Sequence, residues 1–383
     1  MSALAAEGHS PTLERLTRVG RPHRRANRTL ADLRRFHRPR RVVTDVLDFR
    51  KTKGMSRKQF SPVKLGVIGL GRFGRLHALT ASALAEAELV ALVARRQESL
   101  DALARELPGV KGWTNLEHAV GESNAEAWIV ACTTSAHVPI TRTLLEASKA
   151  VLLEKPISSS LEEARSLRPL VRADSSNLMI GHIVLFNSEF QQLREETRLR
   201  GPISYIDCVR HRPNTTLKGV RGGENPLHAT MVHDLYATQV LLDRAEPASF
   251  SAVFHRTAGG EVDLAVATLH WANGPIASFS ASYLTPAGMP PRGFDRMEVF
   301  GEAWAARIHP NPRPIEIWSE IRADWPMALE IRAGAQFAAG MMAEEIRCFC
   351  RVVRGKESVP VGATYADALQ VQEWMDRLEA CAT

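Results

Sequence analysis

From residue 63 onward, short aliphatic runs recur along the chain with stretches of helical spacing between them. Residues 64–68 (KLGVI), 88–94 (ELVALVA), 127–132 (AWIVAC) and 150–153 (AVLL) read as strands buried on both faces. Residues 75–87, 101–107 and 138–148 carry the helical pattern, and 110–114 reads as a short edge strand. Alternating strands and helices over residues 63–156 predict a doubly wound parallel sheet closed by Glu154, Lys155 and Pro156.

Beyond Pro156 the pattern changes. Helices are expected over 161–173, 189–198 and 226–242, and strands over 178–186 and 203–210. The strand-like runs 249–256, 263–272, 276–284 and 297–308 then follow one another without helices, which indicates an antiparallel or mixed sheet and an α+β second domain. Two helices, 335–354 and 365–380, end the chain. Phe337, Met341, Met342, Ile346 and Phe349 form a stripe on the first of them that belongs in a core.

The first strand runs into Gly69, Gly71 and Gly74, a GxGxxG followed by a helical segment. In that context the glycines have separate tasks: a tight turn, close approach of backbone amides to a pyrophosphate, and close packing of the helix on the sheet. The phosphate would lie at the helix N-terminus, where free N–H groups and the dipole favour negative charge. Gly69, Gly71, Arg72, Phe73 and Gly74 are therefore candidate cofactor contacts. The second strand ends at Ala94, where a site selective for NAD wants a carboxylate on the ribose 2′-hydroxyl. Arg95 and Arg96 follow instead, and two guanidiniums suit a 2′-phosphate, so NADP(H) is preferred over NAD(H). Ligands of such sheets bind beyond the strand C-termini, which adds Thr133, Thr134, His137, Glu154, Lys155 and Pro156 to the same rim.

Composition and charge narrow the picture. The chain has 383 residues, long enough for two domains, and its 45% hydrophobic and 24% charged residues are those of an ordinary globular protein. No apolar run approaches a membrane span of about 18 residues. Five cysteines without CxxC or a paired framework, and without a preceding secretory signal, predict a reducing, cytoplasmic setting. Residues 1–60 hold 16 Lys/Arg against 5 Asp/Glu, a net of +11 against +7 for the whole chain, so the remainder is net −4. The globular body lacks the basic surplus that a nucleic-acid partner needs. The arginine-rich, proline-interrupted 1–60 segment is expected to be disordered or loosely helical. It reads as an upstream extension of the reading frame before Met55, a Ser-poor transit peptide, or a nucleic-acid or membrane-surface arm.

Five stretches occur in order across residues 63–380: VKLGVIGLGRFGRLHA, WIVACTTSAHVPITRTLLEASKAVLLEKPIS, GHIVLFN, MVHDLYATQVLLD and MEVFGEAWAARI. Together they resemble the glucose-fructose oxidoreductase, inositol dehydrogenase and MocA (Gfo/Idh/MocA) family of NAD(P)-dependent oxidoreductases. The resemblance implies an α/β protein with a Rossmann domain over 61–156 and an α+β domain over 157–383 with a mostly antiparallel open sheet. The C-terminal helices are placed to pack back on the first domain. It also implies a dimer or tetramer packed through that sheet, and a substrate that is a secondary alcohol or carbonyl of a sugar, cyclitol or related polyol.

The resemblance assigns Lys155 of the Glu-Lys-Pro motif to the reacting oxygen, often beside a cis Lys-Pro bond, and His233 to general acid/base work. Asn225 and Pro226 read as the N-cap and first residue of the histidine's helix. The family commonly has an aspartate four residues before the histidine; Ala229 stands there instead. Thr230 can share that face and hydrogen-bond a substrate, though it supplies no negative charge, whereas His228 lies well around the helix. His182 and Asn187, with Arg210 and Arg212, are softer substrate candidates, and such basic groups suit an acidic or phosphorylated sugar. No metal is implied, because redox chemistry would be the nicotinamide's own. The alternative raised by Ala229 is a cofactor-binding sensor or scaffold of the same fold with altered or lost turnover.

Overall fold

The computed structural model describes residues 61–383 apart from 216–224, 287–293, 312–314, 316, 322, 327–330 and 335. The expectations for residues 1–60 lie outside the described residues. Six parallel strands form the first sheet in the order β3-β2-β1-β4-β5-β6. These are β1 (Val63–Ile68), β2 (Ala87–Val93), β3 (Lys111–Trp113), β4 (Ala127–Val130), β5 (Ala150–Glu154) and β6 (Leu178–Gly181). The strand order reverses between β1 and β4, which opens a crevice at the strand C-termini. Helices α1 (Arg72–Ser82), α2 (Gln97–Ala104), α3 (Leu116–Glu122), α4 (His137–Glu146) and α5 (Leu161–Arg165) connect the strands. The aliphatic runs of β1, β4 and β5 are buried on both faces, as a sheet covered by helices on each side requires.

Several local expectations needed correction. The sheet reaches past Pro156, because β6 pairs with β5 in register Leu153↔Ile180. The strand expected over 178–186 stops at Gly181, where His182 leaves extended geometry and residues Ile183–Phe186 close into a 3₁₀ turn. The helix expected over 161–173 is only α5 and a 3₁₀ turn at Arg168–Leu170, where Pro169 lacks the N–H that would continue an α-helix. Helix α3 was not expected; the Asn115 side chain caps it by accepting from His118 N at 2.8 Å.

The second sheet follows the order β12-β11-β7-β10-β9-β8, with β7 and β10 parallel and all other pairs antiparallel. Its strands are β7 (Ile203–Pro213), β8 (Ser249–Arg256), β9 (Val262–His270), β10 (Ile276–Thr285), β11 (Phe294–Gly301) and β12 (Trp304–Ile308). The run expected as one strand over 297–308 is the β11–β12 hairpin, turned through Ala303 at φ 61°. One face of the sheet is buried through Ile206, Cys208, Ala265, Ala267, Ala277, Phe279, Met297 and Val299 beneath helices α6 (Ser188–Arg200), α7 (Val232–Leu241) and α9 (Tyr365–Cys381), while α8 (Met341–Val353) packs on α1 and the turn at Ile183–Phe186. Two further hairpins are β13 (Ile317–Trp318) with β14 (Ala323–Asp324), and β15 (Ile331–Gly334) with β16 (Phe337–Gly340).

The helix expected over 335–354 therefore begins only at Met341. Gly340, at φ 82°, turns β16 into the helix, and Phe337 is half exposed under Arg332 instead of joining the core stripe. Met341, Met342, Ile346 and Phe349 do lie in the core. Helix α9 ties the two sheets together: the Tyr365 hydroxyl donates to Ala164 O at 2.6 Å, and Ile180 N donates to Ala363 O at 2.9 Å. Among the described residues no helix is long and apolar enough to cross a membrane.

Candidate active site

The glycine corner is built for close approach. Gly69 sits at φ 87°, and a Cβ there would come within 2.6 Å of Cys132 Cα on the neighbouring chain segment. A Cβ on Gly74 would lie 1.7 Å from the Gly69 carbonyl oxygen, so only glycine lets α1 start this close to β1. At Gly71 nothing stands within 4 Å of the Cβ position, which leaves an open ledge before the first turn of α1. The amides of residues 72–74 precede the first helical bond, Arg75 N to Gly71 O at 2.9 Å, and so have no partners within the helix. These residues fit a dinucleotide pyrophosphate. The Phe73 ring meets His77 edge-on at 5.5 Å.

Around the same rim, Ala94 is buried while Arg95 and Arg96 are exposed at the end of β2. Arg95 is close enough to act on the thiol of Cys132, which burial pushes up to about 11. Thr133 is exposed and opens a 3₁₀ turn at Thr134–Ala136, from which α4 begins at His137. The His137 side chain turns inward and its Nδ1 meets the Pro156 carbonyl oxygen at 2.8 Å. It thereby braces the Lys155–Pro156 turn, whose peptide bond is cis.

Glu154, placed on the cofactor rim by its neighbours in sequence, turns its carboxylate to the other side. Its Oε1 lies 2.7 Å from His77 Nε2 in the interior. Gly181 beside it makes room, since a Cβ there would stand 3.3 Å from both Cα and Cδ of Glu154. Lys155 extends toward the second domain and its ammonium donates to Ala229 O at 3.0 Å. The residue that replaces the expected aspartate thus offers the lysine a backbone oxygen.

Ala229 belongs to a single wide π turn, Leu227–Met231, which precedes α7. Asn225 caps it as expected, accepting from Leu227 N at 2.9 Å. The Thr230 hydroxyl donates to Pro226 O at 2.8 Å, and His228 pairs with Glu379 at 2.8 Å, so each has a partner away from His233. His233 is the second residue of α7, and its Nδ1 lies 2.7 Å from the Tyr236 hydroxyl. That phenol is fully buried and accepts from Val184 N at 3.1 Å. His182 stacks on Tyr236 with ring centroids 4.0 Å apart, and its Nδ1 is 2.5 Å from Gly362 O.

Burial first, then the charges of Lys155, Arg210 and Arg212, hold the His233 imidazole well below its ordinary pKa. His182 is driven down to about 3, chiefly by burial. Both rings are neutral near pH 7. The soft candidates separate. Asn187 is consumed structurally, capping α6 through Phe190 N at 3.0 Å and donating to Pro310 O at 3.0 Å. Arg210 is 1% exposed, with Nε on Asp234 at 2.8 Å and Nη1 on Asp295 at 3.2 Å. Arg212, partly exposed, grips Asp295 with both Nη atoms. Burial pushes the Asp234 carboxyl up to about 6. For Asp295 burial acts the same way, but the Arg212 and Arg210 guanidiniums outweigh it and hold the group at about 2.

Sequence reasoning missed Tyr236, Asp234, Asp295 and the His77–Glu154 pair. Tyr236, one helical turn from His233, was open to detection from spacing. Asp295 is 85 residues from Arg210, and no local pattern links them.

Known proteins share this fold. Residues 63–182 match the model of an oxidoreductase family with an NAD-binding Rossmann fold, and residues 175–307 match the GFO/IDH/MocA C-terminal domain. Inositol 2-dehydrogenase of Rhizobium meliloti is 25% identical over 267 residues, covering 67% of this chain and 78% of the relative. UDP-N-acetylglucosamine 3-dehydrogenase of Acidithiobacillus ferrooxidans is 28% identical over 220 residues, 57% of this chain and 67% of that protein. In fold, the chain is similar to scyllo-inositol dehydrogenase from Lactobacillus casei, solved with NAD(H) and scyllo-inositol, with a TM-score of 0.70 at 18% identity, covering 84% of this chain and 97% of that one.

Proposed function

The chain belongs to the GFO/IDH/MocA family of NAD-binding oxidoreductases, and on that premise we propose that it exchanges a hydride between nicotinamide and a secondary alcohol or ketone of a sugar or cyclitol. The observation that carries this reading is the convergence of Lys155 and His233 from two domains. The lysine ammonium reaches the carbonyl of Ala229, one turn before the histidine, and its charge acts on the imidazole. When bound, the nicotinamide supplies the acceptor for the hydride leaving the carbinol carbon. His233 receives the hydroxyl proton. A neutral imidazole can accept it, and with Nδ1–H donated to the Tyr236 oxygen the lone pair sits on Nε2. Lys155 exchanges its bond to Ala229 for the reacting oxygen and offsets the alkoxide charge as it develops.

NADP(H) is the preferred cofactor in this reading, supported by Ala94 and the exposed Arg95 and Arg96 at the ribose end of β2. The names of the relatives point to a cyclitol or a nucleotide-linked amino sugar. A homo-dimer or tetramer is supported by the outer face of the second sheet, where Val253, Val266, Ile276 and Phe300 are 55%, 40%, 41% and 37% exposed and share one side by register. The five free cysteines suit a cytoplasmic setting.

The test is reduction of NADP⁺ and NAD⁺ with myo-inositol, scyllo-inositol and UDP-N-acetylglucosamine, followed by absorbance, together with cofactor titration by fluorescence. Turnover that His233→Ala removes while cofactor binding persists is the expected result. Cofactor binding with equal turnover in wild type and His233→Ala would overturn the assignment of the base.

A further inference from the structure

Behind the lysine turn lies a second group of ionisable side chains that the reaction does not use directly. His77 of α1, Glu154 at the end of β5 and Glu345 of α8 bring one ligand atom each to within 4.8 Å of one another, all three residues buried. Glu345 is 0% exposed, and neither of its carboxyl oxygens has a hydrogen-bond partner among the described residues. It also lies close enough to Tyr236, the partner of His233, for its charge to act on the phenol. Glu345 thus stands between the residue before Lys155 and the residue that orients His233.

We propose that Glu345 is a positioning residue of the active site, its carboxyl closing on the Glu154–His77 pair from the second domain and holding the strand end that carries Lys155. The chemistry follows from charge. Two carboxylates buried this close cannot both ionise, and burial together with Glu154 holds the Glu345 carboxyl well above the ordinary carboxylate range. A neutral carboxyl is an O–H donor, and the Glu154 carboxylate, which already meets His77 with one oxygen, has acceptor capacity left. A side-chain rotation of Glu345 delivers that donor. The pyrophosphate helix, the lysine turn and α8 are then joined through one buried network. The direct 2.7 Å contact of His77 with Glu154 is a hydrogen-bond distance and needs no bridging ion.

The other groups near Glu345 do not replace it. Cys348 shares its helix, and the thiol is pushed up to about 12 by burial. Glu344 pairs with Arg347, Arg332 of β15 lies over the Phe337 ring, and His182, ahead of the 3₁₀ turn, is neutral. Raising the pH until Glu345 ionises places two negative charges side by side, and Lys155 loses its fixed base. An alkaline limb in kcat follows.

The inference rests on the roles given to Lys155 and His233, and the experiment separates its failure from theirs. Full-length wild type, Glu345→Gln and Glu345→Leu are compared. Glu345→Gln keeps kcat within about twofold at neutral pH and moves the alkaline limb upward, because an amide cannot ionise. Glu345→Leu lowers kcat on the order of 10- to 100-fold with cofactor affinity unchanged, the cost of a misplaced reacting group. Infrared spectra of the protein without substrate show a protonated-carboxyl band at neutral pH that Glu345→Gln removes, a reading that needs no turnover. Wild-type kcat in Glu345→Leu, the same alkaline limb in Glu345→Gln, the band persisting in Glu345→Gln, or stoichiometric divalent metal in the purified protein would each overturn the proposal. Absence of turnover in wild type counts against the oxidoreductase assignment, and the infrared band then decides the state of Glu345.

Discussion

The lysine side and the histidine side of the site are held in different ways. On the first, Lys155 sits where a strand ends, and its position is set chiefly by backbone, through the β5 register, the cis turn and the bond from His137 to the Pro156 carbonyl, with the proposed Glu345 contact to the Glu154–His77 pair behind the strand end. On the second, His233 stands over a buried polar assembly of Tyr236, His182, Asp234, Arg210 and Asp295, drawn from segments far apart in the chain. A strand end lets function and stability be changed separately. A reactive group seated on buried charges cannot be altered at its base without disturbing the fold.

The largest expected effect tests that contrast directly. Arg210→Met leaves the Asp234 and Asp295 carboxyls buried without their shared guanidinium, and removing one partner of a buried pair costs about 3–5 kcal/mol. Chemical denaturation would read this as a lowered midpoint. Lys155→Met, by contrast, is expected to lower kcat roughly 10²–10³-fold, as loss of an oxyanion donor does, with a change in stability under about 1 kcal/mol. Equal loss of stability in the two variants would remove the distinction.

The same contrast explains what was legible in the sequence. Aliphatic runs, GxGxxG and Glu-Lys-Pro are local, so the first sheet, the corner and Lys155 could be placed from residues a few positions apart. Even there, the side chain of Glu154 faces the interior because Gly181, on a neighbouring strand, leaves space for it. The helix of His233 was legible, whereas its π turn at Leu227–Met231 was not, and that turn carries the oxygen of Ala229 to Lys155. The Asp295 partner of Arg210 depends on the register Arg210↔Asp295 between β7 and β11, a pairing no local pattern encodes.

Acid provides a second, smaller way to sharpen the comparison. The folded pKa of His182, about 3, lies below its ordinary 6.5, so between those values the unfolded chain binds a proton that the folded one does not. Stability is therefore full above pH 6.5 and falls as the pH drops. His233 acts with the same sign. Asp234, raised to about 6, and Glu345, also raised, act with the opposite sign, because their folded forms hold protons that the unfolded chain has released. These opposing contributions flatten the whole-protein curve, so the informative quantity is a difference between two proteins. The stability of wild type relative to His182→Asn should fall by up to about 1.4 kcal/mol per pH unit on acidification from 6.5 toward 3. Denaturation midpoints at several pH values measure it, and parallel curves would show that His182 takes no part in the linkage.

The smallest expected effect lies at the far rim of the lysine side, where the contrast requires ligand binding to change and the fold to stay as it is. Arg95 is exposed at the end of β2 and makes no ion pair with a buried carboxylate among the described residues, so Arg95→Ser should leave the thermal midpoint unchanged. A guanidinium facing a 2′-phosphate in water makes a charge-assisted contact on the order of 1–1.5 kcal/mol, so NADPH affinity should fall about tenfold or less. NADH lacks that phosphate and should bind as before. Parallel fluorescence titrations separate two roles for the arginine: loss for NADPH alone marks it as a reader of the ribose phosphate. An equal loss for both cofactors would mean that Arg95 serves the shared pyrophosphate, and the preference for NADP(H) would then have no support from this residue.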